Sequence, residues 1–108
     1  MPNNIAVSYG LSSYRNAVNA GTFTQTLAAA NTAQAFNSVT AYNFVFITNK
    51  SPSDTIYIGN STAQVIPVTA SQTLFIDIHQ APVNLNSIYW VGATASTDEI
   101  GVFYAWVE

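Results

Sequence analysis

The sequence predicts an all-β fold, an antiparallel β-sandwich, and three observations carry this prediction. β-Branched and aromatic residues recur in short runs, helical periodicity is nearly absent, and turn residues separate the runs at about the 8–12-residue spacing of sandwiches. With 108 residues the chain has room for one domain, and without cysteine its core must be stable without disulfide bonds.

Seven or eight strands are predicted to follow one another along the chain. A polar loop at 49–54 separates two of them, and Gly59-Asn60-Ser61 is predicted to close a hairpin because Gly and Asn tolerate positive φ. The segment 1–21 is less periodic and is predicted to be an N-terminal arm or a short helix, ahead of a β-sandwich domain at 22–108. The predicted strands cover residues 22–29, 34–39, 42–48, 55–58, 64–68, 73–79, 87–93 and 100–107.

Charged residues are scarce. They make up 6% of the chain, compared with about 25% in ordinary soluble proteins. Arg15 and Lys50 are the two cations and the net charge is -3, so we expect no binding to nucleic acid or to an anionic membrane surface. No run approaches the roughly 20 apolar residues of a membrane helix, and the first residues lack the pattern of a signal peptide, which predicts synthesis in the cytoplasm.

Several predicted strands are apolar on both faces. Successive side chains of a strand point to opposite sides, so Phe44 and Phe46 lie on one face while Val45 and Ile47 lie on the other. A thin sandwich has a single interior, and the second apolar face must be covered by loops, by the N-terminal segment or by another chain, unless its aromatic residues are merely scattered. Another chain is the interpretation that we favour, because monomers rarely expose large apolar patches.

The sequence offers little for catalysis or for a cofactor. Asp77 and His79 are two residues apart on a predicted strand and so share a face, which makes them the one candidate acid–base or metal-binding pair. Neighbours on one face are expected by chance, and the glycines do not cluster as a nucleotide-binding loop requires. We therefore predict no enzyme activity, no catalytic residue, no metal and no cofactor.

Exposed aromatic rings could instead stack on sugars. Such stacking needs platforms beside hydrogen-bonding groups, and carboxylates that would bind hydroxyl groups are scarce here. A glycan-binding module is therefore kept as an alternative function. The candidate platforms are Tyr57, Tyr89, Trp90 and Trp106.

A series of short motifs resembles the small β-sandwich virion proteins of tailed bacteriophages. The series runs from a strand that ends in a Gly-Asn-Ser turn, through a proline-bearing segment, to a closing pair of strands near the C-terminus, and it covers about residues 42–107. The chain departs from that pattern at 69–72, where many relatives carry a glycine turn. The motifs are 55–61, 65–68, 73–76, 88–91 and 102–104.

The resemblance implies a capsid decoration (cement) protein or a short fibre or spike subunit, located in the virion. It also implies a jelly-roll-like sandwich, often a homotrimer, whose partners are its own copies and the major capsid protein or another virion protein. A receptor- or carbohydrate-binding module of a tail fibre or spike is the alternative. The predicted interface residues are Tyr14, Arg15, Tyr42, Tyr57, Phe75, Tyr89 and Phe103.

Overall fold

The computed structural model describes residues 18–41, 44–78 and 82–107, with the side chains of 18, 19, 106 and 107 left aside. Its regular structure in these ranges consists of strands and one 3₁₀ turn, η1, at Leu85–Ser87. All the strand pairs are antiparallel, which confirms the predicted fold class. The strands are β1 (Val18–Thr26), β2 (Gln34–Ala35), β3 (Thr40–Ala41), β4 (Phe44–Asn49), β5 (Ile56–Gly59), β6 (Gln64–Val68), β7 (Thr73–Asp77), β8 (Val83–Asn84), β9 (Tyr89–Val91) and β10 (Glu99–Val107).

Two four-stranded sheets form the two layers of a β-sandwich. The first sheet has the order β1-β10-β4-β7 and the second has the order β2-β9-β5-β6, while β3 and β8 form a small separate pair. The chain crosses directly from one sheet to the other between β1 and β2, between β4 and β5, between β6 and β7, and between β9 and β10. Strands that are distant in sequence therefore lie side by side in each sheet.

The core lies between the two sheets, where their inward-facing side chains meet. In β4 the alternation is complete, since Val45 and Ile47 are fully buried while Phe44 and Phe46 on the other face are half-buried. Ile56, Ile58 and Trp90 of the second sheet belong to the same buried cluster. The strict alternation of β4 thus follows from packing only one of its faces against the second layer.

Asn49, at the end of β4, fastens one sheet to the other. Its side chain is fully buried, and Nδ2 donates to the carbonyl oxygens of Asp54 and Val68, both at 2.8 Å. Its Oδ1 accepts from the amide of Ser51 at 2.8 Å. The side chain therefore satisfies three backbone groups of the 49–54 loop and of β6, and its bonds to Val68 and Ser51 are buried.

Most of the predicted strands are present in the structure, but their bounds often differ from the predicted ones. β6 matches its predicted range, whereas β1 begins four residues earlier than predicted, at Val18, so that 18–21 pair with β10. The range 34–39 shrinks to the two residues of β2, and the two-residue strands β3 and β8 were not predicted. Residues 1–17 of the predicted arm lie outside the described residues, and the jelly-roll arrangement stays a prediction.

The hairpin predicted at Gly59-Asn60-Ser61 is confirmed, but the reason given for it is wrong. No described glycine has positive φ, and Asn60 does not have it either. The side chain of Asn60 makes the turn instead, since its Oδ1 accepts from the amides of Thr62 and Ala63 at 2.8 and 2.9 Å. Positive φ occurs at Ser71, with a value of 71°, within the segment 69–72 where the resemblance leads one to expect glycine.

Candidate functional site

The outward face of the first sheet carries an ordered set of phenylalanine rings. Strand register places its side chains in three rows that cross the sheet. The middle row is Thr22–Phe103–Phe46–Phe75, one neighbouring row is Thr24–Gly101–Thr48–Thr73, and the other is Ala20–Ala105–Phe44–Asp77. We call the outward face formed by these three rows the Phe face.

The four phenylalanines of the Phe face touch one another and remain open to solvent. Ring centroids lie 5.0 Å apart for Phe46 and Phe75, 6.1 Å for Phe46 and Phe103, and 5.5 Å for Phe44 and Phe46. Phe75 is 51% exposed and Phe103 is 39% exposed. Because a phenylalanine can bury about 150–250 Å2, these two rings leave roughly 180 Å2 in water.

A notch lies beside the middle row, where Gly101 has no side chain. The notch is a shallow depression of about 330 Å3, walled by Phe46, Phe103 and Thr48. The aliphatic stem of Lys50 lies over Gly101, since a Cβ added to this glycine would stand 3.0 Å from the Lys50 Cδ. The Phe face therefore alternates between a row of large side chains and a row of small ones.

Charge on the Phe face is confined to its two ends. Lys50 lies beyond the row of small side chains and is the one lysine or arginine in the described part of the chain. Asp77 lies in the row of Phe44, at the opposite end, and is exposed. The centre of the face carries only apolar and hydroxyl-bearing side chains.

A second apolar patch lies on the opposite side of the sandwich. Tyr57 of β5 is 43% exposed, and in the edge strand β6 Val65 is 71% and Ile66 is 44% exposed. Pro67 pairs with Tyr57 across the strands and is also exposed. Ile66 pairs with the buried Ile58 and so lies on the inward face, exposed at the edge of the sheet. We call these four residues at this edge the β5–β6 patch.

The predicted interface residues divide between these two sides. Phe75 and Phe103 belong to the Phe face, whereas Tyr57 belongs to the β5–β6 patch and Tyr89, on the same sheet, is half-buried. Tyr14, Arg15 and Tyr42 lie outside the described residues. Phe44 and Phe46 were not among the predicted interface residues, although the alternation in β4 had already placed both on one face.

Trp90 corrects the list of candidate sugar platforms. It is fully buried, because β9 lies inside the second sheet and turns this side chain toward the core. A ring without solvent exposure cannot stack on a sugar, so this prediction is wrong. Tyr57 and Tyr89 keep outward positions, and the side chain of Trp106 lies outside the described part.

Two acidic residues, Asp54 and Asp98, accept hydrogen bonds around the turn that precedes β10. Asp98 is fully buried, and its Oδ2 accepts from the amides of Ala93 and Thr94 at 2.9 and 3.1 Å. Thr94 in turn donates its hydroxyl to Asp54 at 2.7 Å. These carboxylates stabilise the turn before β10. Among the described residues, no group of three potential metal ligands occurs.

The structure describes only one residue of the candidate pair, Asp77. Asp77 is exposed on the outward side of β7, as predicted, but His79 lies outside the described residues. Their proximity and any joint chemistry therefore stay predictions.

Comparison with protein families, curated proteins and solved structures finds no match to this chain. Within 18–41, 44–78 and 82–107, no helix has the length and hydrophobicity needed to cross a membrane. The Phe face and the β5–β6 patch are therefore the two surfaces of the described residues that can bind a partner.

Proposed function

We propose that the chain is a structural protein of a bacteriophage virion, a capsid decoration (cement) protein that binds to its own copies and to the shell. The observation that carries this proposal is the exposure of apolar side chains on both outer faces of one sandwich, with Phe75 on one side and Tyr57 on the other. A protein that bridges copies of itself to a lattice needs two such surfaces. The partners proposed here are further copies of the chain, as a homotrimer, and the major capsid protein or another virion protein.

The strand order supports the resemblance on which this proposal also draws. With the small pair β3 and β8 set aside, the eight remaining strands, numbered in chain order, are arranged 1-8-3-6 and 2-7-4-5 in the two sheets. That arrangement is compatible with a jelly-roll, a fold of eight strands in two sheets that many capsid proteins use.

Low charge and apolar exposure supply the driving force in this proposal. Burying the roughly 180 Å2 left open by Phe75 and Phe103 would contribute about 4–5 kcal/mol per copy at ~25 cal/mol per Å2. A net charge of -3 leaves little repulsion between neighbouring copies. Assembly of this kind stabilises a shell by mass action and requires no catalytic group.

The first test is mass spectrometry of purified virions from the source of this chain. The proposal expects the chain there in many copies, and its absence from intact particles would remove the proposal. The second test measures binding to shells from which the protein has been stripped. Replacing Tyr57 and Val65 with serine is expected to weaken binding at least tenfold, whereas the exposed control Asn37→Ala should bind as the wild type does.

The alternative is a glycan-binding module of a tail fibre or spike, and one observation favours it. Tyr57 presents a ring that is 43% exposed on an outward sheet face, as a sugar-stacking platform requires. Binding on a glycan array that disappears in Tyr57→Ser would select this alternative. An array without signal would remove it.

A further inference from the structure

We infer that the Phe face binds a second copy of this chain through the same Phe face, related by a two-fold axis that runs across the strands. The axis lies between the row of Phe103, Phe46 and Phe75 and the row of Gly101, Thr48 and Thr73. This inference rests on the proposed function, of which self-association is one part. It is drawn from the register of β10, β4 and β7 and from the side chains that this register places on the Phe face.

The large and small rows of the Phe face are complementary in size. A two-fold axis between the two rows places the large row of one copy opposite the small row of the other, and the reverse. Phe103 then faces Gly101 of the second copy, from which the Lys50 stem of that copy has to move aside, while Phe46 faces Thr48 and Phe75 faces Thr73. Alternating large and small side chains across facing sheets is how two layers interdigitate at native packing density.

The charged residues at the two ends of the Phe face, Lys50 and Asp77, are also complementary in this pairing. Lys50 directly follows β4, two residues beyond Thr48, and Phe44 is two residues before Phe46. Once its stem has left Gly101, the same axis places Lys50 over Phe44 of the second copy, beside that copy's Asp77. An ammonium group over an aromatic ring and near a carboxylate is favourable, so the one lysine of this face has a suitable position in the pair.

Area decides the expected strength. Four strands spaced about 4.8 Å apart and three rows about 7 Å apart give a face of roughly 20 Å by 20 Å. Its area of about 400 Å2 is below the ~800 Å2 per partner of standard interfaces. We therefore expect a reversible dimer at micromolar concentrations. A two-fold contact gives a dimer, whereas the homotrimer proposed above would need a different surface.

The decisive experiment uses Gly101→Val, because it fills the notch without removing any apolar group. Valine suits a strand, and the nearest atom to the new side chain belongs to the adaptable stem of Lys50, so the fold should tolerate the change. If the rings associate only through nonspecific apolar contact, the apolar surface that Gly101→Val adds should strengthen association. If the notch receives Phe103, Gly101→Val should weaken dimerisation at least tenfold, and the smaller Gly101→Ala should have an intermediate effect.

Light scattering coupled to size exclusion, from low to several hundred micromolar protein, measures the association. Phe103→Ala is expected to weaken the dimer at least tenfold, and the control Val65→Ser on the other face should leave it unchanged, with thermal unfolding confirming that each variant is folded. A monomer over the whole range, a trimer that does not pair into hexamers, or a Gly101→Val protein that associates as strongly as the wild type would each overturn the inference. The virion role is tested separately by mass spectrometry, so a missing dimer and a missing virion location are distinguishable.

Discussion

Replacing Asn49 with alanine should destabilise the fold far more than the loss of one polar side chain usually does. Asn49 is fully buried and satisfies the carbonyl groups of Asp54 and Val68 and the amide of Ser51. Alanine would leave these backbone groups without their partner in the interior. The change also removes the hydrogen bond that links β4 of the first sheet to β6 of the second.

The expected magnitude follows from the groups that lose a partner. The bonds to Val68 and Ser51 are fully buried, and each unsatisfied buried group costs about 1–3 kcal/mol, which gives about 2–6 kcal/mol for the pair. The bond to Asp54 is only partly buried and adds less. A domain of this size has a total stability of about 5–15 kcal/mol, so the variant should lose a large fraction of it.

Urea unfolding, followed by the fluorescence of the tryptophans, one of which is the buried Trp90, measures this loss. The exposed Asn37→Ala serves as the control and should stay within about 0.5 kcal/mol of the wild type. Asn49→Asp keeps the acceptor but sets a carboxylate against two carbonyl oxygens, so it should be at least as destabilising at neutral pH. Acid, which protonates the carboxyl and restores one donor, should narrow its deficit relative to the wild type at the same pH. If Asn49→Ala were no less stable than Asn37→Ala, the assigned role of Asn49 would be wrong.

Three further predictions concern stability and can be measured by the same unfolding experiment. Ser71→Gly should raise the free energy of unfolding by about 0.5–1 kcal/mol, because Ser71 holds a left-handed backbone that glycine adopts without strain; a decrease would contradict this. Asp98→Ala should lower it by about 2–3 kcal/mol by leaving two amides unpaired, while Asp98→Asn keeps an acceptor and should lose less than half as much; equal losses would refute the anchoring role. Trp90→Phe should lose about 1 kcal/mol, far less than the ~3–5 kcal/mol of Trp90→Ala, because it also removes a buried Nε1 that has no partner; similar losses in both would speak against this.

The sequence predicted the strands well where several suitable residues follow one another. β7 was recognisable from the alternation of its side chains, whereas β4 and β6 were recognisable as runs rich in β-branched and aromatic residues between turn residues. β3 and β8 were missed because two residues contain no periodicity. The hairpin after β5 was found for the wrong reason, since an asparagine side chain can replace the positive φ that a glycine would supply.

The candidate site was only partly visible in the sequence. Phe75 and Phe103 were predicted as interface residues, but their contact with Phe46 depends on the pairing of β10, β4 and β7, which are far apart along the chain. The burial of Trp90 likewise depends on the position of β9 inside the second sheet. Neither could be read from the residues around these positions.

The sequence by itself determined that the chain forms strands, that β4 is apolar on both faces, and that few charges are available to keep copies apart. Tertiary structure decided which apolar faces meet in the core, which remain in water, and that the small row at Gly101 adjoins the large row at Phe103. The physical reason is that alternation arises from the geometry of a single backbone, whereas register arises from the packing of all the strands together.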